Sequence, residues 1–263
     1  MNDPFVPGVG RVLSADIAVP DHSRVRAFYA SVLTTGAEPR WRDDLTNDLG
    51  MPIVGVGERT EAYAHLPLQW MPHIQVSDVA ASVERARSLG GQELVHGRDD
   101  AGASQWAVLR DPSGAAFGVL PVSPPPPAPA DETERAARPR AGRIGWLDLT
   151  VADAAATRDF YRQVVGWSVE DVTMKGDGET YADYCMVAED GPAVAGVCHA
   201  RGVNADLPPV WLLYLPVGDL EESARRVEAE GGALVRTSRD DDGALTTAVI
   251  RDPAGAHLAL VPG

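Results

Sequence analysis

At 263 residues and a net charge of -15, the chain is too long for one small module and too acidic to seek a phosphate backbone, so two domains are expected and a nucleic-acid partner is not. It has no run of about 18 apolar residues and no basic-then-apolar start, so neither a membrane span nor a secretion signal is expected, and a cytoplasmic setting is. Cys185 and Cys198 are the two cysteines; they fit neither a disulfide framework nor a zinc motif and read as small buried side chains on neighbouring strands.

In chain order, Leu13, Ala15, Ile17 and Val19 form one apolar strand face, which sends Ser14, Asp16 and Ala18 to the other. Asp21 follows as a helix cap, and Val25, Phe28, Tyr29 and Val32 then fall at i, i+3, i+4 and i+7, one apolar helical stripe. Thr35 to Ala64 is an acidic loop region without such a pattern. A second strand places Met71, His73 and Gln75 on one face and is followed by a helix capped by Asp78 and stopped at Gly90-Gly91. Strands Gln105 to Arg110 and Ala115 to Leu120 flank the turn Asp111-Pro112-Ser113-Gly114. From 121 to 142 a proline run interrupts every periodicity, so a semi-rigid linker is expected at 123–142, between domains 1–122 and 143–263.

The second domain repeats the first. Asp16, Asp21, Phe28 and Tyr29 recur 132 positions later as Asp148, Asp153, Phe160 and Tyr161; Trp70, Asp78, Arg98, Asp111 and Pro112 recur 141 positions later as Trp211, Asp219, Arg239, Asp252 and Pro253. Two constant offsets over so many special residues mean duplication. Each half also repeats a strand, a capping Asp and a helix, so four βαβββ modules are expected. The repeat places Trp146, Asp148 and Thr150, then Leu212, Tyr214 and Pro216, on the strand faces equivalent to those of Asp16 and His73.

The helix motif Phe28-Tyr29 or Phe160-Tyr161, with Val165-Gly166-Trp167 after the second, and the late hairpins at Asp111-Pro112 and Asp252-Pro253 resemble the vicinal oxygen chelate superfamily of glyoxalases, bleomycin-resistance proteins and extradiol dioxygenases. The resemblance is closest to two-domain bacterial members and spans nearly the whole chain outside the linker. It implies an α+β fold of four tandem βαβββ modules in two open barrels, each with a small-molecule cavity. It also implies where a metal would be held: His, Gln or Glu seven residues before each capping Asp, and Glu on the strand after each Asp-Pro hairpin. Here the first positions are Ser14, Met71, Trp146 and Leu212, and the second are Gly118 and Ala259. Divalent ions need several converging donors, so no metal and no other cofactor is expected.

The candidate acid-base residues are then Asp16, Asp148, His73 and Tyr214; a structural carboxylate, a core histidine and an aromatic wall are the competing roles. Ser14, Met71, Gln75, Trp106, Trp146, Thr150, Leu212 and His257 are the candidate ligand contacts, while Trp70 and Trp211 read equally as walls or core plugs. No dinucleotide fingerprint, P-loop, nucleophile elbow or zinc-protease motif is present in the sequence. The expected function is metal-independent binding of a largely apolar, aromatic metabolite, as in antibiotic sequestration. The alternatives are a cofactor-free cyclase, isomerase or lyase of secondary metabolism, and a metal-dependent lyase or dioxygenase with an unusual ligand set. The partner is a small molecule, and the chain is expected as a monomer or homodimer.

Overall fold

The computed structural model describes residues 7–124, 142–176, 178–189, 191 and 193–263. The expected linker lies outside the described residues from 125 to 141.

The first module is β1 (Val12–Val19), α1 (His22–Leu33) and β2 (Val54–Glu58). Its stripe Val25, Phe28, Tyr29 and Val32 is buried, as are Ala15, Ile17 and Val19 of β1. Residues 34–53 form only the isolated bridges Trp41↔Asn47 and Thr46↔Pro52. Their backbone is held by side chains instead: buried Asn47 accepts from the N–H groups of Leu49 and Met51 at 3.0 and 2.9 Å. Such local bonds compete with ladder formation, and this module keeps one strand after its helix.

The second module is β3 (Met71–Val76), α2 (Val79–Ser88), β4 (Gln92–Arg98), β5 (Ser104–Arg110) and β6 (Ala116–Pro121). The third is β7 (Trp146–Val151), α3 (Ala154–Val165), β8 (Ser168–Gly176), β9 (Glu179–Val187) and β10 (Ala193–His199). The fourth is β11 (Trp211–Val217), α4 (Leu220–Ala229), β12 (Ala233–Arg239), β13 (Leu245–Arg251) and β14 (His257–Pro262). Asp21, Asp78, Asp153 and Asp219 each accept a backbone N–H from the first turn of the following helix, as their place before the helical stripes predicts. In every module the first strand pairs in parallel with the last, and the other pairs within each module are antiparallel.

The chain forms two compact units, and each draws on both halves of the sequence. One contains Met71–Pro124 and Trp146–Trp211, with α2 packed on α3; the other contains Ser14–Trp70 and Leu212–Gly263, with α1 packed on α4. A buried hydrogen-bond relay ties each unit together. In the first unit Trp211 Nε1–H donates to Tyr161 Oη (2.9 Å) and Tyr161 O–H to Asp111 Oδ2 (3.1 Å), while Asp111 Oδ1 closes its own turn by accepting the N–H groups of Ser113 and Ala115. In the second, Trp70 donates to Tyr29 (3.0 Å) and Tyr29 to Asp252 Oδ2 (2.9 Å). Burial, then the adjacent aspartate, pushes both tyrosines far above the ordinary phenol value, so they remain donors. Trp70 and Trp211 are therefore core residues. The Phe-Tyr and Asp-Pro motifs are joined by these bonds, which link the helix of one half to the hairpin of the other. Among the described residues no helix is long and apolar enough to cross a membrane.

Candidate sheet-face site

Strand register brings out one feature in all four modules. Each candidate acid-base residue sits opposite a residue with little or no side chain on the parallel neighbour: Asp16 opposite Gly55, His73 opposite Gly118, Asp148 opposite Gly196 and Tyr214 opposite Ala259. At two of these places the space is already filled by the polar group. A Cβ added at Gly118 would lie 2.6 Å from the His73 ring, and one at Gly196 would lie 2.2 Å from Asp148 Oδ1.

The third module gives the most developed arrangement. Leu147, Leu149 and Val151 of β7 are buried in the core, which leaves Trp146, Asp148 and Thr150 on the opposite face. Trp146 Nε1–H donates to Asp148 Oδ1 at 2.7 Å, fixing the indole ring beside the carboxylate. Directly paired residues share a face, so the register continues this face through one row, Asp148–Gly196–Cys185–Glu170, and places Cys198 beside Thr150 in the next. Both cysteines are free. Burial first, then the negative charge of Glu170 and Asp148, raises the Cys185 thiol; burial, then Asp148 and Asp183, raises that of Cys198 strongly. Both remain neutral, soft, weakly donating groups.

In the second module His73 shares its row with Gly118, Val108 and Val95, an apolar setting. Trp106, 40% exposed, lies over Gly97, where an added Cβ would meet the indole at 2.3 Å. Met71 is buried. Gln75 is fully buried, and its Oε1 accepts from the N–H of Ser123 (3.0 Å), a structural bond. The other compact unit holds half-buried Ser14 and Asp16 on β1, and Leu212, Tyr214 and His257 of the fourth module. Leu212 is buried. Burial, then the charge of Arg251 on its paired strand position, lowers the His257 pKa.

Thr150 also lines a groove of about 760 Å³ in the first unit, with Leu89, Pro112, Thr157, Phe160 and Leu207. Of the expected contacts it is the one found there. Sequence reasoning missed Cys185, Cys198 and Glu170 as face residues, because their place depends on the β7–β10 pairing, which has no local signature.

The donor chemistry does not suit a divalent metal. Ser14, Met71, Trp146, Leu212, Gly118 and Ala259 supply one hydroxyl and one thioether among hydrocarbon, indole and bare backbone. Among the described residues no three His, Cys, Asp or Glu side chains form a group that could hold an ion.

Two family models match the chain. The Glyoxalase/Bleomycin resistance protein/Dioxygenase superfamily matches residues 143–260, and a Glyoxalase-like domain matches residues 13–120. Among curated sequences, the chain is 29% identical over 196 residues to the anthracycline biosynthesis protein DnrV of Streptomyces peucetius, covering 74% of this chain and 66% of that protein. It is 31% identical over 122 residues to CFP32 of Mycobacterium tuberculosis, which carries a glyoxylase name; here the match spans less than half of either protein, 46% of each. Among solved structures, a mutant 4-hydroxymandelate synthase from Streptomyces coelicolor aligns with a TM-score of 0.53 at 13% identity, over 98% of this chain and 93% of that one. A variant of homoprotocatechuate 2,3-dioxygenase from B. fuscum aligns with a TM-score of 0.54 at 14% identity, over 100% and 73%. At such identities the likeness is one of fold.

Proposed function

Since the chain belongs to the glyoxalase, bleomycin-resistance and dioxygenase superfamily, we propose that it binds a largely apolar, aromatic small metabolite without a divalent metal, on the face of β7, β10 and β9. The observation that carries this reading is the Trp146–Asp148 pair seated over Gly196. The indole N–H is used by the carboxylate, which holds the ring plane for stacking against a flat guest. Thr150 and the neutral thiols of Cys185 and Cys198 supply a weakly polar surround, and Asp148 accepts a hydrogen bond from the guest's hydroxyl groups. The similarity to a protein named for anthracycline biosynthesis supports a polycyclic, polyketide-type guest, with antibiotic sequestration as one outcome of such binding.

The test is a titration of EDTA-treated full-length protein with a hydroxyanthraquinone, followed by tryptophan quenching. Saturable binding is expected, weakened about tenfold by Trp146→Ala, a loss on the scale of one aromatic contact. Binding that requires added metal, or that is unchanged in Trp146→Ala, overturns the reading.

The same similarity favours a second reading, a cofactor-free enzyme of secondary metabolism in which Asp148 is the proton acceptor. It requires turnover of such a compound by metal-stripped protein, lost on Asp148→Asn while binding persists.

A further inference from the structure

Away from these faces, the second module aligns three side chains in a different chemical order. On the side of β4 and β5 that faces α2, Glu93 Oε2 lies 3.1 Å from Nδ1 of His96, and Nε2 of the same ring lies 2.8 Å from Ser104 Oγ. The His96 side chain is 6% exposed and that of Glu93 23%; Ser104 is half-buried. The strand register explains how they meet. His96 pairs with Ala107 and Glu93 with Leu109, both buried, while a bulge at Leu94 turns Glu93 to the face of His96, and a second brings Ser104 opposite Arg98.

Carboxylate, imidazole and hydroxyl in sequence is the arrangement that activates a serine: the base takes the hydroxyl proton, and the acid orients the ring and stabilises its charged form. Arg87 Nη2, 2.8 Å from Glu93 Oε2, holds the carboxylate in place. Arg98 Nη1 lies 3.4 Å from Ser104 Oγ, a cation beside the point where negative charge develops on an attacked carbonyl. Arg98 Nη2 also approaches His96 Nδ1 at 3.1 Å. An arginine can only donate, so in the tautomer the site requires Nδ1–H donates to Glu93, Nε2 accepts the Ser104 hydroxyl, and Arg98 is directed to Ser104 Oγ rather than to Nδ1.

The duplication supplies an internal control. At the equivalent places in the fourth module, 141 positions on, stand Leu234, Thr237 and Leu245. Arg98, by contrast, recurs as Arg239, and both arginines bond the carbonyl of a loop glycine, Gly102 or Gly243. Both hairpins have the arginine, and the fourth-module hairpin forms without the other three, so they are not required by the sheet.

We infer that Ser104, His96 and Glu93 form a nucleophilic acyl-transfer site for small activated esters, separate from the sheet-face site. In the step, Ser104 Oγ bonds to the ester carbonyl carbon as its proton passes to His96 Nε2. The carbon–oxygen bond to the leaving group breaks, and the imidazolium returns the proton to the departing alkoxide. Water then attacks the acyl-serine by the same route and releases the acid. Ser104 and His96 are the catalytic residues, and Glu93 is a positioning residue.

The test is labelling of the folded full chain by an alkyl fluorophosphonate, in which a Ser104 Oγ–phosphorus bond replaces the phosphorus–fluorine bond and fluoride leaves, with the modified residue located by peptide mass spectrometry. Labelling at Ser104 is expected, absent in Ser104→Ala and slowed on the order of 100-fold in His96→Gln, the scale of a lost general base. Glu93→Asp is expected to recover part of the rate lost in Glu93→Gln, which a purely structural contact would not require. No label at Ser104 of the wild-type chain, or an unchanged rate in His96→Gln, overturns the inference.

Discussion

Replacing Tyr161 by phenylalanine would leave the Trp211 N–H and one oxygen of Asp111 buried without their shared partner. The expected loss is about 1–3 kcal/mol, the usual penalty for orphaned buried polar groups, and Tyr29→Phe should cost as much in the other unit; urea unfolding measures both. Gly196→Ala tests the opposite kind of constraint. Its Cβ would fall 2.2 Å from Asp148 Oδ1 and must push the carboxylate off Trp146, so weaker hydroxyanthraquinone binding is expected, with destabilisation of about 1–3 kcal/mol from overpacking. Unchanged affinity would remove Asp148 from the binding face. His257 gives a pH signature. Its folded pKa is lowered, by burial and then by Arg251, so the stability linked to it is fully present above the unfolded histidine value of about 6.5 and is lost as pH falls through the lower folded one. A His257→Gln variant should show a shallower loss of stability over that acidic window.

The four aspartate caps and the apolar stripe of α1 were legible in the sequence because a helix start depends on neighbours within one turn. Asp153→Ala, which leaves the N–H of Ala156 without its acceptor, should cost about 1 kcal/mol, measured by thermal unfolding. The alternation along β7 likewise placed Trp146, Asp148 and Thr150 on one face. What the pattern does not carry is the identity of the strand alongside. Gly196 lies 48 residues from Asp148, and nothing near either predicts their pairing, so the row of Asp148, Cys185 and Glu170 emerges only from the register. The Glu93, His96 and Ser104 alignment was hidden for a related reason: the bulges at β4 and β5 shift the side-chain alternation by one residue, and a strict period of two separates residues that the sheet brings together. In the first module, the irregularity of 34–53 was visible as a missing periodicity, though not the asparagine bonds that replace it.

Neither compact unit is built from one half of the sequence. Tyr29 lies in the first half and its acceptor Asp252 in the second; Asp111 lies in the first and its donor Tyr161 in the second. Chains 1–122 and 143–263 expressed singly therefore lack one member of each pair. Neither is expected to show cooperative unfolding as a monomer, and the two are expected to copurify when co-expressed; analytical ultracentrifugation with thermal denaturation decides the matter. A half that melts cooperatively as a monomer would contradict this account.

The crosswise tyrosine–aspartate bonds also bear on inheritance. A recombination event that exchanged one half of the gene for that of a distant cousin would present both bonds with unfamiliar partners in a single step, whereas point changes can be matched one at a time. The ancestral copies, once fused, are thereby bound to drift as a couple, and new specificity is more readily gained by altering the faces of individual sheets than by shuffling whole halves.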